Sequence, residues 1–292
     1  MTLGKAEAIA HGAATIVNAI ALGRGAAFGV DLWTKAEVKL TDEPHVVRGE
    51  IASDPTESTV LIERTVTRVL QIFRAEDKYG AKVRTQSNIP IARGLKSSSV
   101  AANATALATV AALGKSLDDL AIVNLGVDAA FDAKVTVTGA FDDACASYFG
   151  GVVVTDNLKR KVAMCLPLPE GLSVLFHVPA KKAYTGNSDV SRLRPVAPLV
   201  KIAYKQALRK NLWTALTLNG VIYSSALGYD ASVALDALNA GAVAAGLCGK
   251  GPAVTAVVPD DKVDAVKAAL QNHGGEVLQT RLNREKARVT SK

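Results

Sequence analysis

Cysteine is scarce in this sequence, and its distribution excludes a disulfide framework. Cys145, Cys165 and Cys248 are odd in number and form no CxxC pair, so free thiols in a reducing compartment are expected. The four histidines, His11, His45, His177 and His273, lie far apart, and nothing has the ligand spacing of a zinc site. Aromatic residues are only 5% of the chain. Ala, Val and Leu must therefore supply the packing, and basic residues without interleaved aromatics speak against single-stranded nucleic acid as a ligand. No apolar run approaches the ~20 residues of a spanning helix. The apolar stretches near the N-terminus are broken by His11, Asn18, Arg24 and Asp31, with no secretory-signal pattern. Two common phosphate loops are also missing. No segment matches GxxxxGK[ST], and Gly23-Arg24-Gly25 continues with Ala26, Ala27 and Phe28 instead of completing GxGxxG. The expectation is a soluble cytoplasmic protein, monomer or homodimer, without a membrane or nucleic-acid partner.

What is present fits an ordinary globular protein. The chain has 292 residues, 49% hydrophobic and 21% charged, enough for two modest domains. A formal net charge of +7 favours anionic partners. The densest basic stretch is the tail, where Arg281, Arg284, Lys286, Arg288 and Lys292 face only Glu285; it reads as a solvated, fraying terminus.

Periodicity predicts a strand over 33–40, a turn over 41–44, a helix over 57–74 and a strand over 82–85. Val100, Ala104, Leu107 and Ala111 mark one face of a helix from Ser97, which Gly114 can end. A second helix is expected from Ser116, with Leu120, Val123, Val127 and Phe131 on its apolar face. Residues 134–138 read as extended and 152–155 as a buried strand. A domain boundary is expected in the polar, basic segment Asp156 to Lys161. Beyond it come a strand (172–177), helices (196–210, 212–227, 230–241), a strand (253–258), a helix (261–273) and a last strand (276–282). The class is α+β in two layers.

The most informative segment is Pro90-Ile91-Ala92-Arg93-Gly94-Leu95-Lys96-Ser97-Ser98-Ser99. A strand, a glycine turn and a helix start make an anion site, because the first helical amides lack intrahelical acceptors and the dipole adds positive charge there. Gly94 allows close backbone approach, the serines add hydroxyl donors, and Lys96 adds a full charge. Read alone, the segment also admits a serine-rich helix cap.

This loop resembles the PxxxGLGSSAA motif of the GHMP kinase superfamily, the galactokinases, homoserine kinases and mevalonate kinases. Gly12 to Ala19 resembles that superfamily's first motif, and Gly246 to Ala253 its third, glycine-rich motif. Within the superfamily the chain is most similar to the archaeal-type shikimate kinases, whose loop often reads Gly-Leu-Lys-Ser-Ser-Ser. The segment Val137-Thr138-Gly139-Ala140-Phe141-Asp142-Asp143-Ala144 is typical of them too. The resemblance implies a two-domain GHMP fold, with a ribosomal-protein-like N-terminal ATP-binding domain (1–158) and a ferredoxin-like C-terminal domain (159–292). It also implies ATP and Mg²⁺ as cofactors, and phosphorylation of the 3-hydroxyl of shikimate.

Roles follow from the same resemblance. Residues 90–99, with Gly249 and Gly251, are expected to hold ATP. Asp142, or its neighbour Asp143, is expected to accept the proton of the attacking hydroxyl; as residue types, both also suit a helix cap. Ser98 and Asp128 are the expected Mg²⁺ ligands, although relatives often carry glutamate for the latter and Asp128 also reads as a solvent-facing acid. Thr15 and Asn18 match positions near the acceptor, and Asn18 also suits a turn before Gly23. A carboxylate substrate needs a cationic clamp; Arg192 and Arg194, then Lys181 and Lys182, are candidates that read equally as surface charges. Lys250 replaces the small residue usual between the glycines of the third motif. Rival readings are another GHMP kinase for homoserine or pantoate, and a basic nucleotide- or RNA-binding module. Homoserine kinases generally lack the aspartate base, and the RNA reading leaves the paired aspartates unexplained.

Overall fold

The computed structural model describes residues 3–91, 93–180 and 190–292. Ala92, Lys181 and Lys182 lie outside them.

The first layer is built on two long strands, β1 (Lys5–Val17) and β2 (Arg24–Thr41), joined by a 3-10 turn over Ala19–Ala21. One half of β2 pairs with β4 (Gly80–Ser87), which pairs in turn with β3 (Val47–Ile51). The other half pairs with β5 (Val152–Asp156), and β5 with β6 (Lys161–Leu166). β1 is buried along nearly its whole length, so its sequence lacks the apolar–polar alternation of a half-exposed strand. That is why only the second half of β2, which does alternate, was legible as a strand.

Helices cover this sheet. α1 (Val60–Ile72) turns Ile62, Val66, Val69 and Leu70 inward. α2 (Ser97–Ala112) packs between β1 and β2 on one side and α1 and α3 on the other. Alanine makes this possible: Ala104, Ala106 and Ala108 are wholly buried, and small side chains let a helix lie close to a sheet while packing on all sides. Gly114, in a left-handed conformation, follows its end as expected. α3 (Asp119–Asp132) is entered through Asp118, not Ser116. It buries Val123 and Val127, but Leu120 and Phe131 are 42% and 43% exposed, so its buried face is rotated from the predicted one. Residues 134–138 form turns and bends rather than a strand. α4 (Phe141–Phe149) follows.

The second layer is a four-stranded antiparallel sheet, β10–β7–β9–β8, comprising β7 (Leu172–Val178), β8 (Ala244–Leu247), β9 (Val254–Pro259) and β10 (Glu276–Arg281). Helices α5 (Ala197–Leu208), α6 (Leu212–Leu227), α7 (Ser232–Asn239) and α8 (Val263–Gln271) accompany it, near the predicted spans. No helix among the described residues is long and apolar enough to cross a membrane.

Two expectations about organisation are corrected. The segment Asp156 to Lys161 does not separate the layers; it is the turn of the β5–β6 hairpin inside the first sheet, so the chain leaves that sheet only after Leu166. The basic tail is not a fraying terminus either. Residues Arg288–Ser291 form β11, which pairs with β1 through Ala8↔Val289 and Ile9↔Arg288. Lys286 binds Asp119, and Arg284 donates to the carbonyls of Leu168 and Pro169. Arg284 and Lys286 thus have partners outside the tail, which the sequence pattern could not reveal.

Deleting residues 288–292 should therefore lower stability by about 2 kcal/mol, from lost ladder bonds worth ~0.5–1.5 kcal/mol each. Denaturant unfolding checks this, and a fraying tail would leave the midpoint unchanged.

Candidate active site

The Pro90–Ser99 loop joins β4 to α2, and its conformation is built around two left-handed residues. Gly94 has φ 84° and Lys96, the residue preceding the helix, has φ 63°. A non-glycine residue there is disfavoured by roughly 1–2 kcal/mol; the general motif has glycine at this place. A Cβ on Gly94 would lie 2.8 Å from the Gly251 carbonyl oxygen and 3.0 Å from that of Cys248. The loop thus rests on the third motif, and Ala253 N–H donates to the Arg93 carbonyl at 3.3 Å. Arg93 itself donates to the Pro179 carbonyl. Ser97, Ser98 and Ser99 form the first turn of α2 and line a cavity of about 410 Å³.

The acid pair enters the same cavity from α4. Gly139 and Ala140, with φ 79° and 49°, turn the chain so that Asp142 and Asp143 fall in the helix's first turn. Both are buried, at 3% and 4% exposure. Their partners differ. Asp143 Oδ2 pairs with Lys96 Nζ at 2.9 Å. Asp142 Oδ1 accepts from Asn157 Nδ2 at 2.8 Å, and Gly25 makes room for it, since a Cβ there would reach 2.2 Å from Asp142 Oδ2. Burial alone would lower the Lys96 pKa, but Asp143 and neighbouring groups outweigh it and hold it above its ordinary value. Burial, and then the charge of Asp143, push the Asp142 pKa up to about 7, against the pull of Lys96 and the Asn157 hydrogen bond. Asp142 thus accepts from an amide while Asp143 pairs with a cation. The two acids the sequence left open therefore have different surroundings.

The remaining predicted residues divide. Ile91, Gly94, Leu95, Lys96, the three serines, Asn18, Asp142, Asp143 and Gly251 all line the cavity. Gly249 lies behind it, where a Cβ would meet Lys96 Nζ at 2.6 Å; Pro90 and Arg93 support the loop from outside the lining. Asn18 caps the 3-10 turn by accepting from Ile20 N–H at 2.9 Å. α6 holds it in place: Asn219 Oδ1 accepts its N–H and Tyr223 Oη donates to its carbonyl, both at 3.1 Å. Thr15 is buried in β1, off the lining. Arg192 and Arg194 are exposed and off the lining too. Asp128 is likewise not brought to the cavity, because Arg160 Nη2 binds its carboxylate at 2.6 Å.

For magnesium the donors bear on fit. Among the described residues no group of three or more His, Cys, Asp or Glu side chains could hold a metal ion. The exposed Ser98 hydroxyl on the lining does fit an ion carried mainly by nucleotide phosphates and water, the usual habit of Mg²⁺.

Other lining residues escaped sequence reasoning. Ile51, Leu61, Val135 and Val137 give the cavity an apolar section, and Lys134 adds a cation beside Lys250, which the sequence did single out as a departure from the third motif. Burial and the nearby Lys96 bring the Lys250 pKa down to about 8. Asn157 gave no local signal, since its hydrogen bond to Asp142 joins residues 15 positions apart.

Comparison with known proteins agrees with this geometry. The profile of the GHMP kinases N terminal domain matches residues 62–151. The chain is 47% identical over 286 residues to the shikimate kinase of Methanosarcina mazei, covering 97% of this chain and 96% of that one. It is 46% identical to the shikimate kinase of Methanosarcina acetivorans, over 96% and 95% of the two chains. In fold it is similar to Lactococcus lactis galactokinase solved with galactose, with a TM-score of 0.76 at 15% identity, covering 97% and 95%.

Replacing Lys96 by Met should cost about 3–5 kcal/mol of stability, because it strands a buried carboxylate. Adding Asp143→Leu should recover most of that loss, as urea denaturation of both variants would show.

Proposed function

We propose that this chain, which belongs to the GHMP kinases and among them to the shikimate kinases, transfers the γ-phosphoryl group of ATP to the 3-hydroxyl of shikimate, releasing shikimate 3-phosphate and ADP. The observation that carries this reading is the meeting of the Ser97–Ser99 helix start and Asp142 in one cavity, in a chain nearly half identical to a shikimate kinase over almost its whole length.

In this reading the amides and hydroxyls at the head of α2 hold the ATP phosphates, and the apolar section around Leu61 and Val135 takes the purine. Asp142 accepts the proton of the attacking hydroxyl as the oxygen–phosphorus bond forms. Lys96 balances Asp143 and fixes the loop against α4. Asn18 belongs to the acceptor side of the cavity. With Arg192 and Arg194 directed elsewhere, we assign Lys134 and Lys250 to the anionic oxygens of the substrates. Magnesium, bound through the phosphates with Ser98 as protein donor, would offset charge on the transferring group. A cytoplasmic setting is part of the same reading and is supported by the free thiols.

ADP release should be stimulated by shikimate and not by homoserine, mevalonate or pantoate; a coupled assay without a shikimate response would reject the assignment. Asp142→Asn should reduce kcat by ~10²–10⁴ with KM for ATP little changed, and near-normal turnover would exclude Asp142 as the base. The sign of the pH dependence follows from the two lining groups. Asp142 must be ionised, so kcat/KM should rise through a pH of about 7; Lys250 must be protonated, so it should fall again through about 8. A profile that does not fall both below about pH 7 and above about pH 8 would contradict the roles of both groups.

A further inference from the structure

We propose that Asn157 is a positioning residue for phosphoryl transfer, holding the Asp142 carboxylate in one orientation and in its ionised state. This rests on the reading of Asp142 as the proton acceptor. Asn157 stands in the β5–β6 turn, outside the 62–151 region matched by the family profile. It is 4% exposed, although a turn residue is ordinarily solvated.

Three contacts fix it. Its backbone N–H donates to the Gly23 carbonyl at 2.9 Å. Its side-chain Oδ1 accepts from Thr155 Oγ1 at 2.7 Å. Its Nδ2 donates to Asp142 Oδ1 at 2.8 Å. The second contact supports the third. Thr155 Oγ1, which also lies 3.3 Å from the Gly25 carbonyl oxygen, donates to Oδ1 in this orientation, and the amide nitrogen faces the Asp142 carboxylate. An amide N–H can only donate. It therefore favours the carboxylate over the protonated acid, which would need an acceptor.

The other groups around Asp142 leave this task to Asn157. Asp143, the next residue on α4, opposes its ionisation, and Lys96 favours it from the head of α2 but is itself engaged by Asp143. Cys145 on α4 and Tyr223 on α6 also feel the Asp142 charge, and burial keeps both neutral. Gly25 on β2 offers no side chain at all. The Asp143 backbone N–H also bonds the carboxylate from within α4; the hydrogen bond from Asn157 is the directed side-chain contact, and it comes from a second strand pair rather than from the helix that bears the acid. A base held at both ends of its lever keeps the geometry that general-base catalysis requires.

The test is kcat/KM against pH, with ATP and shikimate, for Asn157→Leu, Thr155→Val and Asp142→Asn. Asn157→Leu should move the acidic limb up by about one pH unit, equivalent to a tenfold loss below the limb. Its activity relative to the parent chain should climb with pH, while KM for ATP stays unchanged. Thr155→Val, which removes one hydroxyl, should move the limb the same way by less, and it decides the question if Asn157→Leu does not fold. An unmoved limb, with a loss equal at every pH, overturns the inference even when Asp142→Asn is inactive. Near-normal activity in Asp142→Asn would instead withdraw Asp142 as the base, and this inference with it.

Discussion

The ion pair between Lys96 and Asp143, at 2.9 Å, is the interaction on which the site depends. Two carboxylates side by side at the head of a buried helix are mutually repulsive and poorly solvated, and neither is easily kept ionised without a cation. Lys96 supplies that cation from the phosphate loop. One contact therefore fastens the loop to α4, makes burial of Asp143 tolerable and leaves Asp142 with a raised pKa. The same low-dielectric setting that makes an unpaired charge costly raises the Asp142 pKa, as the proposed role of a base near neutrality requires.

Local geometry is bent to this purpose. Lys96 occupies a left-handed conformation where the general motif has glycine, and its pairing with Asp143 compensates for that strain. Such strain at a functional residue persists only where the surroundings over-determine it. Glycines do the complementary work. Gly249 leaves space for the Lys96 ammonium and Gly25 for the Asp142 carboxylate, so these two side chains are seated where two backbones carry none.

Contiguous features were legible in the sequence, and those made by tertiary contact were not. The Gly94–Ser99 loop and the Asp142–Asp143 pair each lie within a few residues, and each has a chemistry of its own at that spacing. Most strands and helices with a clear period fell near their predicted spans. β1 and β8 did not declare themselves, because strands buried on both faces and rich in alanine and glycine show no alternation. Asp128 read as a metal ligand from its place in the chain, but Arg160, 32 residues on, claims its carboxylate. Asn157 sits in a stretch that reads as a polar linker, and only pairing of β5 with β2 brings it to Asp142. The tail looked free because its partners, Asp119 and Glu7, are far away in sequence.

In the proposed mechanism the two acids divide the labour, Asp142 as base and Asp143 as the partner of Lys96. Carboxyl carbon NMR of the protein labelled at aspartate, followed against pH with Asp142→Asn as the assignment control, tests it most directly. One buried aspartate titrating near pH 7, and missing from the variant, is the predicted result. An Asp142 signal that titrates in the ordinary carboxylate range, near 4, would contradict it.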